Sequence, residues 1–112
     1  MLAVLVVGLL LAACVSAKQY NILEYGAVSD NETTGAAFRN SDAIMTAFHA
    51  AELDMQEGRE NGRPVVYIPK NKTFTIMPID VKPLKKSFPV TFRIDGTLKV
   101  STDAWNYFYT KQ

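Results

Sequence analysis

Acid–base, nucleophilic and metal chemistry each need particular side chains brought together, and this 112-residue chain supplies few of them. It has one histidine, His49, and one cysteine, Cys14. His49 falls in the middle of a helical pattern and has no sequence partner that would make it a general base. A single His and a single Cys exclude a metal site of the usual ligand spacing, and no cofactor is expected. There is no adjacent Asp pair, no Ser-His-Asp set and no glycine-rich phosphate loop. Asp95 precedes Gly96 and reads as a turn residue bonding its own backbone, while Asp80 and Asp103 stand alone at strand ends. No catalytic residue is assigned. Asn31-Glu32-Thr33 and Asn71-Lys72-Thr73 are glycosylation sequons, so Asn31 and Asn71 would accept N-glycans in a secreted eukaryotic chain.

The elements that would position these residues follow from hydropathy, and residues 88–100 organise them. Val90, Phe92 and Ile94 alternate with Thr91, Arg93 and Asp95, the period-two signature of a strand with one buried face. Asp95-Gly96 interrupts the pattern, and Thr97-Leu98-Lys99-Val100 begins a second strand. Asp-Gly suits a hairpin turn and equally a bend between successive parallel strands, because Gly96 can take φ > 0 at no steric cost. The pattern leaves both open. Upstream, residues 20–25 read as a short strand with Tyr20 and Ile22 on one side, and 28–40 as a polar surface loop. Ile44, Ala47, Phe48, Ala51 and Met55 recur at helical spacing, which predicts a helix over 42–57. Asn40 or Ser41 would cap it, Gly58 would stop it, and Glu52, Asp54 and Glu57 would lie on its outer face. Short strands at 65–68, 73–77 and 80–81 are broken by Pro69, Pro78 and Pro83. Trp105, Tyr107, Phe108 and Tyr109 form an aromatic cluster near the C-terminus.

Residues 1–17 read as a secretory signal peptide: an unbroken apolar run over 2–13, then Val15-Ser16-Ala17 as a cleavage pattern. Leu11-Ala12-Ala13-Cys14 also fits a lipoprotein signal, but a basic segment before the run is missing, which favours Cys14 as an apolar residue of a discarded leader. The apolar run is too short for a stable membrane span. Residues 18–112 would then form one domain without cysteine, secreted to the cell exterior or wall. A net charge of +1 argues against a nucleic-acid partner. The charge is unevenly spread, with three basic and eight acidic residues over 18–62 and nine basic and three acidic over 63–112. A basic second half could face an acidic polymer; it equally suits a solvated surface.

Ile94-Asp95-Gly96-Thr97-Leu98, followed by Trp105, resembles the early segments of polygalacturonases, the pectin-degrading glycoside hydrolases of family 28. Tyr20-Asn21-Ile22-Leu23-Glu24-Tyr25-Gly26-Ala27, Val66-Tyr67-Ile68-Pro69-Lys70 and Lys72-Thr73-Phe74 match other N-terminal segments of that family in the same order. The resemblance covers the chain after residue 17 but only about the first quarter of the family's length. It implies a mainly β chain with one α-helix, the start of a right-handed parallel β-helix capped by an N-terminal amphipathic helix. It also implies a monomer that meets pectin or polygalacturonate, acidic polysaccharides, outside the cell. The family's activity is inverting hydrolysis of α-1,4-galacturonosyl bonds, carried by Asn-Thr-Asp, Asp-Asp, Gly-His-Gly and Arg-Ile-Lys motifs. None of the four is present here, so the chain is expected to be inactive alone. The alternative expectation is a secreted, non-catalytic polysaccharide-binding module that uses the basic second half and the aromatics near Trp105.

Overall fold

The computed structural model describes residues 18–59, 62–84, 89–104 and 106. The leader, Cys14, the stretch 85–88 and the aromatic residues Trp105 and 107–109 lie outside the described residues. Strand β1, Gln19–Asn21, runs into a 3-10 turn at Ile22–Tyr25, and helix α1 follows at Thr34–Gln56. Four short strands come next: β2 at Val65–Ile68, β3 at Thr73–Ile76, β4 at Thr91–Ile94 and β5 at Thr97–Val100.

All pairings are parallel. One sheet has the order β1-β2-β4 and the other pairs β3 with β5. In the first, Tyr20 lies beside Val66 and Val66 beside Phe92, while Ile68 lies beside Ile94. In the second, Phe74 lies beside Leu98 and Ile76 beside Val100. β4 and β5 therefore do not pair with each other, and Asp95-Gly96 is a bend rather than a hairpin turn. The glycine is needed for a different reason from the expected one. A Cβ on Gly96 would sit 2.2 Å from the Pro69 carbonyl oxygen and 2.7 Å from that of Lys72. The bend requires close backbone approach, which only a residue without Cβ permits.

The fold class expected from the sequence is corrected. The described residues form one helix of 23 residues and strands of three or four residues in two small parallel sheets, and no parallel β-helix is evident among them. Two misread segments account for the difference. The helix begins at Thr34, eight residues before the expected start, where a loop was anticipated. Thr33 caps it, its Oγ1 accepting from Ala36 N at 3.2 Å. Residues 80–81 form no strand, so a repeating coil does not develop there. The expected strand over 20–25 is likewise cut short, because Asn21 caps the 3-10 turn through its side chain and Gly26 closes it at φ 98°.

The expected apolar face of the helix is the one that packs. Ile44, Ala47, Phe48 and Ala51 are buried against Tyr20, Ile22, Val66, Ile68, Phe74 and Ile76. Small alanines let the helix approach the sheets closely, while Ile44 and Phe48 fill the space between them. None of the described helices is long and apolar enough to cross a membrane.

Candidate functional site

The polar segment between the 3-10 turn and α1 folds back over β3 and makes a cleft with it. It is an open concavity of about 700 Å³ lined by Ser29, Asp30, Asn31, Glu32, Thr73 and Thr75. Two hydrogen bonds between Asp30 and Thr73 form its floor. Asp30 N donates to Thr73 O at 2.7 Å, and Thr73 N donates back to Asp30 Oδ1 at 3.3 Å. Asp30 holds φ at 57°, the left-handed region that Asp tolerates better than most residues. Asn31 folds over the next turn, its Oδ1 accepting from Thr33 N at 3.1 Å and Thr33 Oγ1 at 2.8 Å. Lys99 Nζ donates to Glu32 Oε1 at 2.9 Å, which ties β5 to one rim and holds the Glu32 carboxyl below its ordinary range.

The helix anchors this loop through side chains that the sequence reading assigned to another task. Asn40 and Ser41, expected as caps, are buried inside α1. Asn40 Oδ1 accepts from Val28 N at 2.7 Å, and its Nδ2 donates to Thr75 O at 2.8 Å. Ser41 Oγ accepts from Met77 N at 2.9 Å and donates to Met77 O at 2.8 Å. These bonds satisfy backbone groups of Val28, of Thr75 within β3 and of Met77 just past its end. They also position Thr75, and through it the cleft wall.

A second cluster sits at the other end of the helix. Asp54 Oδ2 accepts from the Tyr20 hydroxyl at 2.5 Å and from Lys18 Nζ at 3.0 Å, and Arg59 Nε reaches Asp54 Oδ1 at 2.9 Å. The Tyr20 bond first, then Lys18 and Arg59, hold the Asp54 carboxyl far below the usual carboxylate range. Such an ion is an acceptor already filled, and it ties β1 to α1.

Glu52 was expected on the outer helix face and is instead fully buried. Its carboxylate accepts from Leu84 N at 2.6 Å and lies 3.2 Å from His49 Nδ1. His49 is half-exposed on the helix, with its ring edge-on to Phe48. The pair holds the segment before residue 85 against α1. Loss of the expected exposure has a simple cause, since helical spacing fixes a face but not what lies over it.

Of the other residues singled out, Asp95 pairs with Arg93 at 3.0 Å and Asp80 with Lys82 at 3.7 Å. Asp103 Oδ2 accepts from Thr34 Oγ1 at 2.5 Å. The two sequons are both exposed, but differ in setting: Asn31 lines the cleft, whereas Asn71 sits at φ 62° between β2 and β3. The described residues hold no group of three or more His, Cys, Asp or Glu fit for a metal ion. The cleft itself was missed from the sequence. Its signal was the polar run Ser29-Asp30-Asn31-Glu32, which was read as loop alone.

One ion pair, Lys99 with Glu32, joins the basic half of the sequence to the acidic half, whereas Arg93 is matched within its own half by Asp95. The chain matched no protein-family model, and comparisons with curated proteins and with solved structures also found no match.

Proposed function

We propose that this chain binds a polysaccharide of the pectic class without hydrolysing it, and that the cleft beside β3 is the binding site. The polymer class rests on the sequence resemblance to polygalacturonases. The site rests on the cleft's chemistry. Ser29, Asn31, Thr73 and Thr75 offer hydroxyl and amide groups, and Asp30 and Glu32 add carboxylate acceptors, a set suited to sugar hydroxyls.

The observation that carries the non-catalytic reading is the contact that Lys99 makes with Glu32. Inverting hydrolysis needs one carboxyl that keeps a proton for the leaving oxygen and another that activates water. Glu32 is held ionised by Lys99, so it is a poor proton donor. Asp30 Oδ1 already accepts the Thr73 amide. Glu32 is thus unsuited to the acid role, and Asp30 serves the loop backbone as an acceptor.

The same acidity sets a preference within the polymer class. Free polygalacturonate carries a carboxylate on each sugar, which Asp30 and Glu32 would repel, whereas methyl-esterified segments present only neutral groups. Binding to esterified pectin and to polygalacturonate, measured at low salt, tests this together with an assay for released reducing ends. Esterified pectin is expected to bind more tightly, Asn31→Ala to weaken binding, and no reducing ends to appear. Hydrolysis would overturn the non-catalytic reading. Retention of neither polymer would overturn the binding reading, and full binding by Asn31→Ala and Ser29→Ala would move the site away from this cleft.

A further inference from the structure

We propose that the chain self-associates into a two-fold dimer by antiparallel pairing of β4 with β4 of a second copy, centred on Ile94. This surface is separate from the cleft and does not depend on the reading of that cleft. Among the described residues, β4 is the last strand of its sheet and β5 the last of the other, so β4 presents an open edge.

Two features make this edge a pairing surface. The first is its backbone. Thr91 N and Asp95 N donate inward, to Pro64 O and Ile68 O. Strand alternation then turns the N–H and C=O groups of Phe92 and Ile94 outward, away from β2. The second is its side chains. Phe92 and Ile94 continue the rows begun by the fully buried Val66 and Ile68, yet they are 37% and 53% exposed. Val100, beside the buried Ile76, is 55% exposed. An open edge with apolar side chains, whose outward groups have no partner among the described residues, is the setting in which strands add to one another.

Charge complementarity selects a second copy in one register. A two-fold axis through Arg93 would set Arg93 directly against itself, which is destabilising. An axis through Phe92 would set Arg93 against Thr91. An axis through Ile94 sets Arg93 opposite the second copy's Asp95, twice by symmetry, and joins the two Ile94 residues through their outward backbone groups. Arg93 and Asp95 are already neighbours, with Nε 3.0 Å from Oδ2, and their side chains remain 59% and 30% exposed for a cross-strand partner. The expectation of a monomer, drawn from sequence resemblance, took no account of this edge.

Sedimentation velocity of the purified full chain over a wide concentration range tests the proposal. The wild type should pass from monomer to dimer as concentration rises. Arg93→Asp and Asp95→Arg each place like charges opposite one another and should weaken dimerisation by roughly tenfold, whereas the double variant should restore it. All variants keep the same N-terminus, so association through residues 1–17 would be common to all of them. Circular dichroism checks that each is folded; if a single variant is not, Ile94→Lys replaces it with the same expected loss. A monomer at every concentration overturns the proposal. So does association indifferent to the charge exchange, or an edge occupied by a co-purifying chain of another kind.

Discussion

Ile68 and Ile94 occupy equivalent positions on adjacent strands, and the difference between them divides the molecule. Ile68 is fully buried and Ile94 is 53% exposed. Val66 and Phe92 repeat the contrast one step away. The residue types are alike and the strand patterns are alike; what differs is cover. β2 lies between β1 and β4 under α1, whereas β4 has a strand neighbour on one side only among the described residues. The helix side of the molecule is also where polar groups are buried and matched, through Asn40, Ser41 and Glu52. The strand-edge side carries exposed ion pairs such as Arg93–Asp95 instead.

The contrast can be broken by substitution. The largest effect is expected at Ile68→Ala, which should cost about 2–5 kcal/mol through lost burial and a residual cavity. The same change at Ile94 should cost under about 1 kcal/mol in the monomer, because the side chain is already half in water. Chemical denaturation of both variants at low protein concentration compares them directly. Equal costs would mean that the edge is covered as well as the centre.

Asn40→Ala should come next, at about 2–4 kcal/mol, because it strands Val28 N and Thr75 O without their side-chain partner. It should also weaken polysaccharide binding, since Thr75 lines the cleft. An Asn40→Ala protein of wild-type stability would show that the loop carries its own fold.

Asp54→Asn should cost about 1–3 kcal/mol near neutral pH, as it weakens charged bonds from Tyr20, Lys18 and Arg59. The acid dependence has a defined sign. The folded Asp54 carboxyl lies far below its unfolded value, so its stabilisation is complete above about pH 4–5 and is lost as the pH falls further. Urea midpoints of the wild type should therefore drop below that pH more steeply than those of Asp54→Asn. Parallel curves would remove Asp54 as the link between β1 and α1.

The smallest effect is expected for Lys99→Ala, whose partner Glu32 is exposed at the cleft rim. Stability should be unchanged within error, while removal of the cation leaves the cleft more acidic and should weaken polygalacturonate retention further.

Much of the local structure was legible in the sequence. The alternation in Val66-Tyr67-Ile68 and Phe92-Arg93-Ile94 marked strands that are present, and Ile44, Ala47, Phe48 and Ala51 marked the packed face of the helix. The helix start was misplaced because Asn40 and Ser41 are good capping residues by type. Their side chains instead serve distant backbone at Val28, Thr75 and Met77, a use that no local pattern reveals. The cleft was unreadable for a similar reason. Ser29-Asp30-Asn31-Glu32 becomes a wall only when β3 lies opposite it.

The sequence by itself determined where strands and helix could form, because periodicity in apolar residues is a local property of the chain. It also determined the poverty of catalytic groups, because one histidine and one cysteine bound what chemistry is available. Only the tertiary structure decided that Asp95-Gly96 is a bend, since parallel pairing to β2 and β3 depends on partners 26 and 24 residues away. It alone decided that Glu52 is buried and Ile94 exposed, against their types. Burial is set by what comes to lie over a side chain, and that is a property of the assembled fold rather than of any stretch within it.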